Sequence, residues 1–525
     1  EMLRSLVGSE MCIRDSVKSG RISRGHRFLC KEDVTIESPE NYKETMRKAF
    51  VIVDQDERRD MIRKGLLAKA EELGGNVWHN ADLLEEINYL VEYPTPLYGR
   101  IDEEFLKLPV PAVVTPMRDH QRYYPVRNED GSLMPYFLTV RNGGTKAIHN
   151  VQIGNERVLR ARLDDAKFFF ENDRKKSLEG HREDLTRINY QEGMGTMLDK
   201  ADRLQKLSDF ICDGWNLSAD EKADAERAAY LSKSDLATGM VTEFTELQGE
   251  MGKEYALLDG EKKNVAQAIF EQYMPRFAGD ILPQESIGRV LSMADKLDNL
   301  AATFLRGLIP TGSQDPFALR RQTIGAVNIL TDGGIHWDIR EGIRKALELL
   351  PGEKEAKETA LGQIEEFFRQ RIKAIMLDEG IAYDIIDAVL AGPVDDIEAL
   401  FLKARAMAES QLKDETDLRQ AVTRLANITK DKEGGAVDPS LFEVEYEKNL
   451  QAALDEVKAE VLPLYKEYQY GKALASLKKL TAPINDYLDN VMVMVDDEKV
   501  KANRVSQLIS ALDLFRAWGD FSKLV

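Results

Sequence analysis

Gly154–Glu171 reads GNERVLRARLDDAKFFFE, and the character of the chain changes there. Val158, Leu159, Arg162, Leu163, Ala166 and Phe169 or Phe170 recur at spacings of three and four, the period of a helix with one apolar face. Asn155 stands where a cap is needed, because its amide oxygen can accept from the free N–H groups of a first turn. Upstream the pattern is mixed. Phe50–Val53, Ala112–Thr115 and Tyr136–Val140 read as short strands, and Glu57–Leu73 reads as a helix closed by Gly74-Gly75. Asp130-Gly131, between Tyr123–Val126 and Tyr136–Val140, predicts a hairpin. Downstream the helical period persists to the end, through Met197–Ile211, Ala223–Met240, Lys262–Tyr273, Ile287–Leu305 and Phe317–Leu330. The fold class is therefore α+β. A mixed α/β part is expected over 17–155, a helical domain over 156–340, a helical connector over 341–410 and a last helical module over 411–525.

The chain has 525 residues with 72 basic and 91 acidic side chains, a net charge of −19. Length alone predicts about three or four domains. A hydrophobic share of 43% with 31% charged excludes a disordered or collagen-like chain. No apolar run approaches the roughly 18 residues of a membrane helix, so no membrane association is expected. Three scattered cysteines make neither a disulfide framework nor a zinc cluster, and they predict a reducing, cytoplasmic setting. The acidity excludes a wholly basic nucleic-acid-binding surface but leaves room for a local basic face. Residues 1–16, EMLRSLVGSEMCIRDS, carry no signal-peptide pattern and read as foreign sequence of the translated-adapter kind; a ragged native N-terminus is the alternative.

Common catalytic signatures are missing. There is no GxxxxGK[ST] phosphate loop, no GxGxxG after a strand, no HExxH, no GxSxG and no CxxC. The six histidines are too dispersed for a metal site defined by spacing. The densest candidate for binding is Thr115–Val126, TPMRDHQRYYPV, which gathers Arg118, His120, Arg122 and Tyr123. Guanidinium forks beside stackable rings suit RNA ends and single strands, whereas a solvated strand edge with buried tyrosines is the plainer reading.

TPMRDHQRYYPV and GNERVLRARLDDAKFFFE resemble the β subunit of bacterial glycyl-tRNA synthetase. The resemblance continues in order through LSKSDLATGMVTEFTELQGEMG (Leu231–Gly252), YMPRFAGDILP (Tyr273–Pro283), ADKLDNL (Ala294–Leu300) and PTGSQDPFALRRQ (Pro310–Gln322). It ends in VDPSLFE (Val437–Glu443), DNVMVMVDDEKVKANR (Asp489–Arg504) and DFSKL (Asp520–Leu524), so it covers essentially Ser19 to Val525. The family is longer at its N-terminus, and GRISRGHRFL (Gly20–Leu29) resembles one of its internal segments; the chain is thus expected to be N-terminally truncated.

This resemblance implies a division of labour. A separate α subunit carries the class II site for ATP, Mg2+ and glycine, while the β subunit binds and positions tRNA(Gly) within an α2β2 enzyme. No cofactor is expected on this chain. The middle domain is implied to be HD-like, yet no histidine occurs between Arg182 and Ile335. The metal pair of a working HD hydrolase is replaced by Lys233-Ser234-Asp235, the late acids fall at Asp295 and Asp298, and Gln272 stands where relatives often show histidine. A degenerate, metal-free pocket is expected, and an HD-type phosphohydrolase is the alternative function, opposed by the missing ligands. In PTGSQDPFALRRQ, Asp315 is expected to cap a helix with Pro316 at its first position, leaving Arg320 and Arg321 for phosphate or a partner carboxylate. The C-terminal module is implied to be an anticodon-binding helical bundle, in which Asn490–Val495 supplies a buried apolar edge. Arg419, Arg424, Lys501, Asn503 and Arg504 are its candidate RNA contacts, with Lys499 and Arg516 on adjacent faces.

Overall fold

The computed structural model describes residues 20–312, 314–410 and 416–524. The expected foreign segment, 1–16, lies outside the described residues. The chain divides into two compact units. One comprises the chain up to Ser177 together with Asp235–Tyr255, the other Leu178–Ser234 together with Ala256–Val525.

In the first unit a two-stranded ribbon, β1 (Ile22–Arg24) against β2 (Asp33–Thr35), precedes a four-stranded antiparallel sheet. The sheet is made of β3 (Asn76–Val77), β4 (Pro94–Arg100), β5 (Tyr124–Arg127) and β6 (Leu133–Asn142), in the order β3-β5-β6-β4. β4 and β6 pair from Pro94 opposite Asn142 to Arg100 opposite Tyr136. The predicted hairpin joins β5 to β6, with Gly131 at φ 85°, a conformation that side chains with a Cβ resist. Helix Gln55–Glu72 is capped by Asp54, whose carboxylate accepts from the N–H groups of Asp56 and Glu57. It buries Ile62, Leu66 and Ala70 in one cluster with Tyr124, Val126 and Leu138 of the sheet. Each buried aliphatic side chain contributes about 1.5–3 kcal/mol, so this face fixes the helix on the sheet.

Two expected strands are absent. Ala112–Thr115 lies in a helix, Val110–Thr115, with a proline in its first turn. A short apolar run buried on all sides does not distinguish strand from helix by periodicity, and Pro111 tips the balance. Phe50–Val53 joins no sheet: Phe50 turns with a left-handed backbone at φ 61°, and Ile52 N–H donates to the Glu92 carbonyl.

The long helix marked by GNERVLRARL runs from Ile148 to Asp173. It begins seven residues before Asn155, which sits inside it and not at its cap. The helix is tied to the front of the chain, where Glu156 accepts from the Arg100 N–H at 2.8 Å. Arg160 pairs with Asp102 at 2.5 Å and Lys167 with Glu104 at 2.6 Å. These ties carry the first unit past residue 155, the boundary expected from sequence, to Ser177. At the helix end the buried Asp173 accepts from Gly239 N–H at 2.8 Å, Met240 N–H at 3.0 Å and the Tyr255 hydroxyl at 2.8 Å.

The second unit is helical. Ser286–Leu305 is buried around nearly its whole circumference, which places it at the centre. Helices Met197–Gly214, Ala219–Leu231, Lys263–Glu271, Leu319–Gly333, Ile339–Leu349 and Lys354–Asp378 pack against it. Two of them open with reciprocal caps, Thr196 with Asp199 and Ser218 with Glu221. The C-terminal helices are Thr416–Thr429, Glu445–Lys466, Tyr470–Leu477, Thr481–Asn490 and Glu498–Arg516. After them Gly519, at φ 146°, comes so close to helix Tyr383–Val389 that a Cβ would lie 2.3 Å from the Ala388 carbonyl oxygen. That carbonyl accepts from Asp520 N–H at 2.9 Å. Among the described residues no helix is long and apolar enough to cross a membrane.

Candidate nucleic-acid interface

In the first unit the TPMRDHQRYYPV stretch continues helix Val110–Thr115 as a wide π-type turn, Pro116–His120, before entering β5. Its charges are internally committed. Arg118 forms a two-pronged pair with Asp119, at 2.7 and 3.0 Å. Arg122, held at φ 57°, donates to the Asp119 and His120 carbonyls and to Glu86 at 2.7 Å. His120 stands 3.8 Å from Glu246, with its ring 5.6 Å from Phe244. Tyr123 is buried and stacks on Phe137 at 4.6 Å; burial pushes its phenol up to about 12. The ring is therefore a wall of the core and not an open stacking platform.

The four residues of the expected degenerate pocket do not share one unit. Asp235 belongs to the first, where its carboxylate accepts from Gly249 N–H at 2.6 Å. Lys233, Asp295 and Asp298 belong to the second. There Lys200 lies 3.0 Å from Asp295 and 2.8 Å from Asp298, Arg203 lies 2.6 Å from Asp298, and Lys233 lies 3.1 Å from Asp295. All five side chains are buried. Burial alone would raise the Asp298 carboxyl, yet the Lys200 ammonium and the Arg203 guanidinium hold it below its ordinary value. A cation belonging to the protein itself thus bridges the two carboxylates. Gln272 is also buried, its amide donating to the Ile269 carbonyl at 2.6 Å. Among the described residues no group of three or more His, Cys, Asp or Glu side chains is placed to hold a metal ion.

Lys200 and Arg203 were not singled out from sequence, although a signal exists. Lys200 shares the helix face of Leu204, Leu207 and Ile211, and a charge inside an apolar stripe requires a buried partner.

The PTGSQDP loop leads into a helix that starts at Leu319, with Ala318 left-handed at its cap. Pro316 therefore precedes the helix instead of opening it. Asp315 does act on the first turn, accepting from Leu319 N–H at 2.8 Å and Arg320 N–H at 2.9 Å. Arg320 donates to the Gly312 carbonyl at 2.7 Å, and Arg321 is exposed.

In the C-terminal module the cationic candidates separate into inside and outside. Arg504 is buried, 2.8 Å from Glu447 and 2.8 Å from Glu443. Asn503 is also buried and clasps the backbone of Asp438, accepting from its N–H at 2.7 Å and donating to its carbonyl at 3.0 Å. Neither belongs to a solvent-facing basic face. Lys501 is on the surface beside Glu498 at 3.1 Å, and Arg424 pairs with Asp489 at 2.7 Å. Arg419 reaches the Leu524 carbonyl at 3.4 Å. The Asn490–Val495 segment is not a buried edge throughout. Val491 and Val493 point inward, whereas Met492 is 75% exposed and Met494 46%.

The family described as "Glycyl-tRNA synthetase beta subunit" matches residues 5–391, and the "DALR anticodon binding domain" matches residues 418–516. The chain belongs to the glycyl-tRNA synthetase β-subunit family. It is 44% identical over 512 residues to the glycine–tRNA ligase β subunit of Clostridioides difficile, covering 97% of this chain and 74% of that one. The β subunit of Desulforamulus reducens is 42% identical over 518 residues and that of Bacillus subtilis 40% over 511, each with 97% and 74% covered. The match to the β-subunit family begins at residue 5, inside the segment read from sequence as foreign. The helices from Thr416 to Arg516 are thus those of the DALR anticodon-binding domain, and the β subunit is a component of an aminoacyl-tRNA synthetase, a ligase.

Proposed function

We propose that this chain binds tRNA(Gly) and holds its acceptor end at the active site of a separate α subunit, where ATP-dependent glycylation takes place. The observation that carries this reading is the pairing of a β-subunit match over 5–391 with an anticodon-binding match over 418–516. A tRNA held at its anticodon presents its acceptor end at a fixed place, which converts an encounter into an oriented reaction. ATP and Mg2+ are assigned to the α subunit, no cofactor to this chain, and α2β2 to the assembly, in the cytoplasm. The middle helices are read as an HD-like fold retained for packing and RNA contact. In that fold Lys200 takes the bridging place that a metal would need between Asp295 and Asp298, which speaks against a phosphohydrolase.

The test is co-purification with the α subunit followed by glycylation of tRNA(Gly), with each subunit alone as control. Activity is expected only from the pair. ATP–pyrophosphate exchange by the pure chain, or full glycylation by the α subunit alone, would overturn the division of labour.

A further inference from the structure

A cleft of about 590 Å³ opens in the second unit between the loop that carries Pro310 and Gly312 and the outer face of helix Lys354–Asp378. Two arginines from distant parts of the sequence, Arg320 and Arg371, line it. Each is half-buried, and among the described residues neither has a carboxylate at ion-pair distance. That sets them apart from Arg118, Arg122, Arg424 and Arg504, all of which are neutralised by acids.

The polar contacts of the pair are with neutral groups. Arg320 donates to the Gly312 carbonyl; Arg371 donates to the Gln370 side chain at 2.9 Å and lies over the Phe367 ring at 3.8 Å. The ring contact orients the guanidinium without consuming its charge. The acids nearby are already engaged. Asp315 accepts from the first N–H groups of helix Leu319–Gly333, and Glu366 is 3.2 Å from Arg369. Burial and the neighbouring Arg320 charge together hold Arg371 below the ordinary arginine range, with Asp315 opposing them. Two uncompensated like charges facing one cavity are costly unless an anion joins them.

We propose that the cleft of Arg320 and Arg371 is a phosphate site that grips the backbone of bound tRNA. The proposal rests on the tRNA-holding role given above and adds a contact outside the anticodon-binding domain. A planar guanidinium fork matches two phosphate oxygens, and the amide of Gln363 at the rim suits ribose hydroxyls. A magnesium nucleotide is less suited, because Glu366, the carboxylate lining the cleft, is already engaged by Arg369 and Gln370.

The experiment measures binding of a tRNA(Gly) transcript to the full chain as a function of salt. Its variants are Arg320→Gln, Arg371→Gln and the double variant, with Arg63→Gln in the first unit as a charge control. Each guanidinium lost is expected to weaken binding about tenfold and to reduce the log–log salt slope by roughly 0.7–0.9. Arg320→Lys and Arg371→Lys are expected to keep the slope and lose part of the affinity, which also separates a lost contact from misfolding. Wild-type binding with variants unchanged in affinity and slope overturns the site and leaves the tRNA role standing. A wild-type chain that binds no tRNA overturns both. Competing ATP or inorganic phosphate that saturates the cleft without displacing tRNA overturns the RNA assignment.

Discussion

The guanidinium of Arg504 lies 2.8 Å from the carboxylate of Glu447, a side chain with no exposure to solvent. The pair joins helix Glu498–Arg516 to the first turn of helix Glu445–Lys466, so a residue that sequence offers as an RNA contact acts inside the anticodon-binding bundle. Burial by itself would raise the Glu447 carboxyl; Arg504, its one cationic partner among the described residues, and the N–H groups of Val444 and Glu443 together keep it low. Arg504→Met is therefore expected to cost about 3–5 kcal/mol, because it leaves a buried charge without its partner. Lys501→Glu, on the surface, is expected to stay within about 0.5 kcal/mol. Denaturant titration of the two variants measures both. A cost below about 1 kcal/mol for Arg504→Met would remove the structural role argued here.

Lys296 predicts a pH dependence. Its ammonium is buried, donating to the Met274 carbonyl at 2.5 Å and to the Ser292 hydroxyl at 2.6 Å, and burial lowers it from 10.5 to about 7. Between those values the unfolded chain binds the proton that the folded chain has given up, so stability rises with pH across that window. Lys296→Met is expected to flatten this rise and to stabilise the protein below pH 7, by an amount of the order of a few kcal/mol. The Met274 carbonyl keeps its bond from Ser292 at 2.6 Å, so no acceptor is orphaned. Unfolding midpoints across the window decide the matter; an unchanged slope in the variant rejects it.

Lys200 and Asp298 are expected to be strongly coupled. Lys200→Met and Asp298→Asn should each destabilise. A double-mutant cycle should return an interaction of roughly 1–3 kcal/mol, since the two groups meet at 2.8 Å out of solvent. Additive losses would show that the bridge contributes nothing specific.

Gly519→Ala is expected to destabilise by about 1–3 kcal/mol, because the new Cβ would meet the Ala388 carbonyl at 2.3 Å in a left-handed backbone conformation. Amide exchange should quicken in helix Tyr383–Val389 before it does elsewhere. Unchanged exchange there would mean that the closing contact is dispensable.

Local rules carried the reading of sequence a long way. The Asp130-Gly131 turn, the helix after Asp54 and the long helical pattern beyond residue 155 all depend on neighbours in sequence, and periodicity exposes them. The misread pieces were those whose local pattern is ambiguous. Ala112–Thr115 is apolar on every side, and Asn155 lost its cap role because the helix already begins at Ile148. A different limit, set by distant partners, applies to the candidate contacts. A list of arginines does not reveal which ones meet acids, so Arg118 and Arg504 looked as available as Arg320. Arg371 was missed because nothing near it in sequence marks it; only the fold brings it to the loop before Leu319.

The excursion of Asp235–Tyr255 into the first unit has a consequence for the order in which the protein is made. A ribosome makes the residues up to Ser177 before it reaches this segment, at roughly 5–20 residues per second. Until then Asp173 lacks the Gly239 and Met240 amides and the Tyr255 hydroxyl that occupy its carboxylate in the finished fold. The unit that holds Asp173 must therefore wait, incomplete, while the first helices of the next one are synthesised. A nascent chain arrested before Tyr255 has emerged would remain sensitive to protease in that unit.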